Sequence, residues 1–162
     1  MKPLRLSLAL LTVLLLTQFT LTAQDAPPSY GPAITLEQAK KVVAAAEAEA
    51  RKNKWNVFIV VVDSGTNPVL MQRMDDTQLG SLNVAQKKAY TAAAFRRSTK
   101  VFEDGIVAGG IGMRILGNEQ AMPIEGGLPI VVNGKIIGAI GVSGVTSQQD
   151  GIIAKAGVEA LK

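Results

Sequence analysis

The chain has 162 residues, 48% of them hydrophobic but only 4% aromatic, and its 17 basic and 13 acidic side chains give a formal net charge of +4. It contains no histidine and no cysteine. That excludes Ser-His-Asp and Cys-His catalysis, imidazole or thiolate zinc sites, histidine-ligated haem, disulfides and acylation on cysteine.

Lys2 and Arg5 followed by the apolar run Leu6 to Leu16 read as an export signal, and Ala23 offers a small residue for cleavage, so residues 1–23 are expected to be removed. The apolar core is shorter than the roughly 20 residues a spanning helix needs. The expected destination is the periplasm or exterior of a bacterial cell, with no stable membrane span in the mature chain. The remaining basic residues come at most in pairs, such as Lys87-Lys88 and Arg96-Arg97, which is no footprint for a nucleic-acid partner. A Pro-rich leader over residues 24–33, expected to be extended and mobile, precedes one domain over 34–162.

Thr35 with Gln38 forms a capping box, and Leu36, Ala39, Val43, Ala46 and Ala50 recur by three and four, predicting an amphipathic helix. The run from Trp55 to Asp63 is too apolar to alternate and predicts a central strand covered on both faces. Ser64 to Pro68 is a turn by composition, and Val69 to Met74 returns as a hairpin partner whose Gln72 and Arg73 suggest an edge or a site. Ser81 to about Phe95 is alanine-rich and helical, with Val84, Ala85, Ala92 and Phe95 inward, and a shorter helix begins near Ser98 or Thr99. Gly105 to Pro123 lacks a period and reads as a loop or lid with a helical turn at Met113 to Leu116.

Asn133-Gly134 stands between β-branched runs and supplies the two positive-φ positions of a type I′ turn, folding Leu128 to Val132 back on Lys135 to Val142. Gly138, Gly141 and Gly144 imply close approach by a helix, another backbone or a ligand, with helix packing the more frequent cause. Ser147 with Asp150 predicts the cap of a last helix with Ile152, Ile153, Ala156 and Ala160 inward. The order of elements is that of an α+β fold, an antiparallel sheet with helices packed on it.

Two features are candidate sites. Lys88 beside Lys87, with Tyr90 and Thr91 a turn further on, is either a solvated lysine or, if it faces the sheet, an anion binder or a desolvated base. Glu125-Gly126-Gly127 either cradles a carboxylate or propionate on exposed N–H groups or is only a turn leading into a strand. Together they allow an enzyme for a small carboxylate, with Lys88 as base or clamp and Glu125 as acid or base. Acidic residues are too scattered to predict a metal site, and Gly110-Ile111-Gly112 lacks the third glycine of a dinucleotide fingerprint.

The segments ITLEQAKKVVAAAEAEA, VVVDSGTNPVLMQRMD, QLGSLNVAQKKAYTAAAF and EGGLPIVVNGKIIGAIGVSGVTSQQD, in this order, resemble the GlcG/HbpS family, which includes the C-terminal domain of PduO-type proteins. The resemblance spans Ile34 to Leu161. It implies a profilin-like three-layer α/β/α architecture with a five-stranded antiparallel sheet, a homo-oligomer, and an exported protein that binds haem for haem or iron handling or redox sensing, with haem degradation within its range. A structural or sensory oligomer with a protein partner is a further alternative. The family's histidine-ligated sites do not transfer to a chain without histidine. Iron would take oxygen from Tyr90 or Thr91 or sulfur from Met74, Met113 or Met122, while Arg73, Lys88, Arg96 and Arg97 are propionate partners by charge.

Overall fold

The computed structural model describes residues 26–162. The predicted export signal lies outside the described residues. The leader is extended but pinned: Ser29–Tyr30 form strand β1, paired in parallel with Lys135 and Ile136, and the Gly31 amide donates to the Ile136 carbonyl at 2.8 Å.

Helix α1 (Leu36–Asn53) starts at the predicted capping box, with the Gln38 amide donating to Thr35 Oγ1 at 3.2 Å and the Thr35 amide to Gln38 Oε1 at 3.0 Å. Lys54 ends it in the left-handed region at φ 59°. Its inward face is Ala39, Val42, Val43, Ala46 and Ala50, while Leu36 in the first turn is exposed, a partial departure from the predicted stripe. Strand β2 (Phe58–Asp63) lies between β3 (Pro68–Arg73) and β5 (Lys135–Ser143), antiparallel to both, and is buried on both faces as its composition demands. Asp63 Oδ1 accepts from the amides of Gly65 and Asn67, each at 2.8 Å, which closes the β2–β3 turn.

Strand β4 (Gly127–Val132) pairs with β5 across Asn133 and Gly134, whose φ angles of 50° and 73° are those the turn requires. The sheet is therefore five-stranded and mostly antiparallel. The expectation of a fully antiparallel sheet is corrected by the parallel β1–β5 pair, formed because the leader runs beside β5 past the end of β2.

Side chains on β2 alternate between two apolar clusters. Ile59 and Val61 pack with α1 and with Ile153 and Ala154 of helix α4 (Ser147–Glu159). Phe58, Val60 and Val62 pack with Ala85, Ala89, Ala92 and Ala93 of helix α2 (Ser81–Ala94). Small residues let α2 lie very close to the sheet: a methyl group on Gly141 would overlap the Ala85 carbonyl oxygen. Gly141 thus serves helix packing, and Gly138 the approach of the Val62 carbonyl, rather than a ligand.

Helix α4 departs from its predicted phase. Thr146 with Gln149 forms the capping box, Asp150 is buried, and Ile152 is exposed where it was expected inward. Helix α3 (Thr99–Ala108) is capped by Ser98 and extends beyond Gly105, and a 3₁₀ helix (Gly110–Gly117) contains the expected turn at Met113 to Leu116. These two segments pack on each other and, apart from Thr99, bury none of their residues.

Candidate functional site

Lys88 points into the protein, only 1% exposed, from the alanine face of α2. Its Nζ donates to Asp150 Oδ2 at 2.8 Å and to the Val142 carbonyl at 3.0 Å, so the ammonium joins α2, β5 and the first turn of α4. Asp150 Oδ1 also accepts from the Val145 amide at 3.3 Å. Burial pushes the Lys88 ammonium below the ordinary lysine value against the opposing charges of Asp150, Glu103 and Glu125; burial likewise pushes the Asp150 carboxyl up, opposed by Lys88.

Gly126 covers this pair with φ at 122°, and a Cβ there would stand 2.8 Å from Lys88 Nζ, Asp150 Cβ and the Val142 oxygen. Its carbonyl accepts from the Val142 amide at 2.9 Å, the Gly127 amide donates to Thr99 Oγ1 at 2.9 Å, and the Glu125 amide donates to the Glu103 carboxylate. Glu125-Gly126-Gly127 is a turn into β4 whose Glu125 and Gly127 amides are already bonded within the protein. Glu125 is near enough for its charge to act on Lys88, but Lys88 is only 1% exposed and lines neither of the open spaces beside Tyr90.

The neighbouring lysine has the opposite environment. Lys87, half-buried, lines a cleft of about 300 Å³ with Tyr90, Gln86 and Asn83 of α2, Val62 and Pro68 of the β2–β3 hairpin, and Gln120. A second hollow of about 520 Å³ adjoins it, lined by Tyr90 and by Gly117 to Gln120. Lys87 Nζ donates to the Glu119 carbonyl at 3.0 Å, whereas the buried Thr91 hydroxyl donates to the Lys87 carbonyl at 2.7 Å and accepts from the Met122 amide at 2.8 Å. Thr91 is therefore an anchor for the chain leading to Met122.

The remaining candidates lie apart. Arg73 is exposed opposite Phe58, at the end of β3 away from the cleft. Arg96, at φ 56°, places its guanidinium 5.7 Å from the centre of the Tyr30 ring, and Arg97 lies 5.8 Å from that of Phe102. Met74 is in the core, while Met113 is exposed on the 3₁₀ helix. Of the eight residues expected to contact a cofactor, the structure puts Tyr90 in the cleft, Lys88, Thr91, Gly126 and Gly127 in the interior with Glu125 at its margin, and Arg73 and Arg96 at the periphery. Sequence reasoning chose Lys88 and passed over Lys87. The signal was there: Ala85, Ala89 and Ala92 mark the inward stripe, which includes position 88, while Lys87 shares its face with Tyr90.

The donor set of the cleft fits a porphyrin in kind. Tyr90 offers a phenolic oxygen, Lys87 a cation for a carboxylate, and Val62 and Pro68 apolar surface. Among the described residues no group of three or more acidic side chains is placed to hold a metal ion, and no helix is long and apolar enough to cross a membrane.

The HbpS-like family, described as haem degrading protein HbpS-like, matches residues 34–159. GlcG of Escherichia coli K12 is 40% identical over 110 residues, 68% of this chain and 81% of GlcG. Among solved structures, protein ORFY of Klebsiella pneumoniae is similar at a TM-score of 0.76 and 32% identity, over 84% of this chain and 95% of that one. PduOC, solved as a haem complex, is similar at a TM-score of 0.73 and 26% identity, over 80% of this chain and 96% of that one. These agreements confirm the resemblance read from the sequence: the chain belongs to the HbpS-like family, with GlcG among its relatives.

Proposed function

We propose that this protein binds haem in the cleft beside Tyr90. The observation that carries the reading is the convergence of a phenol, a lysine and apolar walls on one opening, in a family described by haem degradation and with a relative solved bearing haem. Tyr90 would present its oxygen to iron, as tyrosine does in catalases. Lys87 would pair a propionate, and Val62 and Pro68 would keep water from the macrocycle. Bound haem would supply redox-active iron.

The same proposal includes export to the periplasm or exterior, a role in haem or iron handling or redox sensing, a profilin-like layering of helices about the sheet, and self-association. Export rests on the basic start and leucine run at the N-terminus. Self-association is supported by Val107, Ile111 and Leu116, which α3 and the 3₁₀ helix leave 83%, 74% and 56% exposed. The small-carboxylate enzyme is less favoured, because its substrate would have to displace Asp150 from Lys88.

The test is a hemin titration of residues 24–162 followed by absorbance. Saturable binding of one hemin per subunit is expected, with a phenolate-to-iron band that disappears in Tyr90→Phe. Nonsaturable uptake, identical in that variant, would refute the reading.

A further inference from the structure

The cleft and the adjoining hollow share Tyr90 and Gln120 as a common wall, and Gln120 ends the segment from Gly117 that lines the hollow. Alone, the cleft of about 300 Å³ is at the bottom of the range for small-molecule sites, roughly 300–1,000 Å³. The cleft and the hollow of about 520 Å³ together reach well inside it.

One turn of α2 holds this partition by two unlike bonds. Thr91 fixes the Met122 amide through a buried hydroxyl that is itself bonded to the Lys87 carbonyl. Lys87 fixes Glu119 through a charged, solvent-reachable ammonium donating to a neutral carbonyl. The second bond can be exchanged. A carboxylate is a stronger acceptor for an ammonium than a peptide carbonyl, and among the described residues Lys87 is the only cationic side chain lining either space.

We infer that Lys87 is a latch operated by the ligand's own carboxylate. An anionic group entering the cleft draws the ammonium from the Glu119 carbonyl and frees the partition, while Thr91 keeps Met122 in place. The two spaces then join into one site for a large planar ligand bearing free carboxylates. The latch makes Lys87 a determinant of specificity for the free acid over the ester. This inference rests on the haem reading for its ligand but not for its bond.

Two measurements on the mature chain separate the parts. In the ligand-free protein, hydrogen exchange at Gln120 and Ala121, whose amides donate to Asn118 Oδ1 at 3.0 Å and to the Asn118 carbonyl at 3.1 Å, should accelerate in Lys87→Met while the Met122 amide stays protected, and hemin should produce the same acceleration in the wild type. Lys87→Met should weaken hemin by about ten- to a hundredfold but bind hemin dimethyl ester more tightly than the wild type does, because the partition is already free, with Lys87→Arg restoring hemin. Wild-type exchange in Lys87→Met overturns the latch even if hemin binds at Tyr90. Equal weakening of hemin and its ester overturns carboxylate recognition. Faster exchange in Lys87→Met without any hemin binding supports the latch and removes the haem reading alone.

Discussion

Lys87 and Lys88 are adjacent on one helix, yet the first lines an open cleft and the second is sealed in the interior against Asp150. A step of one residue turns the side chain by about 100° around α2, enough to pass from water to core. The difference shows that helical phase, not residue type, assigns each lysine its work. Lys88 organises the meeting of α2, β5 and α4; Lys87 is left able to exchange partners.

The sharpest way to break this contrast is to remove one member of the sealed pair. Asp150→Ala leaves an uncompensated ammonium in the core and should destabilise the fold by about 3–5 kcal/mol in urea unfolding. Lys88→Met with Asp150→Leu should recover much of that loss, since it leaves no buried charge. A cost for Asp150→Ala no greater than that of an ordinary surface change would mean that Lys88 escapes to water. Gly126→Ala tests the seal itself: it combines an unfavourable φ of 122° with overlap against the ion pair, and should cost about 1–3 kcal/mol.

The smallest effect uses pH to set a surface carboxylate against the buried one. Hydrogen bonds from Gln72, at 2.6 Å, and from Arg51 hold the Glu47 carboxyl below its ordinary value of 4.5. The unfolded chain therefore binds more protons in that window, and the stabilisation from Glu47 is present above 4.5 and lost as pH falls through its folded value. Burial shifts Asp150 the opposite way, up from 3.8 against the pull of Lys88. Glu47→Gln should cost under about 1 kcal/mol near neutrality and nothing in acid. A penalty that persists in acid would assign the effect to packing rather than charge.

Local signals carried most of the fold. The capping box at Thr35, the Asn133-Gly134 turn and the unbroken apolar run of β2 each specify their element without help from distant residues. The pairing of Lys88 with Asp150 joins positions far apart in sequence and has no local signature. Asp150 instead looked like a helix cap, which shifted the phase expected of α4. The leader looked mobile because it is Pro-rich and lies ahead of the first helix, whereas its hydrogen bonds to β5 and that of the Tyr30 hydroxyl to the Ala93 carbonyl at 2.9 Å fix it. Family membership was legible from whole segments, but the cleft was not, since it is assembled from α2, the β2–β3 hairpin and Gln120.

β5 carries neighbours on both edges, pairing with β4 on one side and with β2 and then β1 on the other. It is also the last of these five strands to be synthesised. The apolar run of β2 thus emerges long before the partner that buries it, and the β2–β3 hairpin alone leaves an edge open for pairing with another chain. Folding must wait for this long-range closure. A chain stalled before Lys135 would present Phe58 to Val62 as an aggregation-prone segment, so the kinetic hazard of this protein is set by when β5 arrives rather than by the final stability of the sheet.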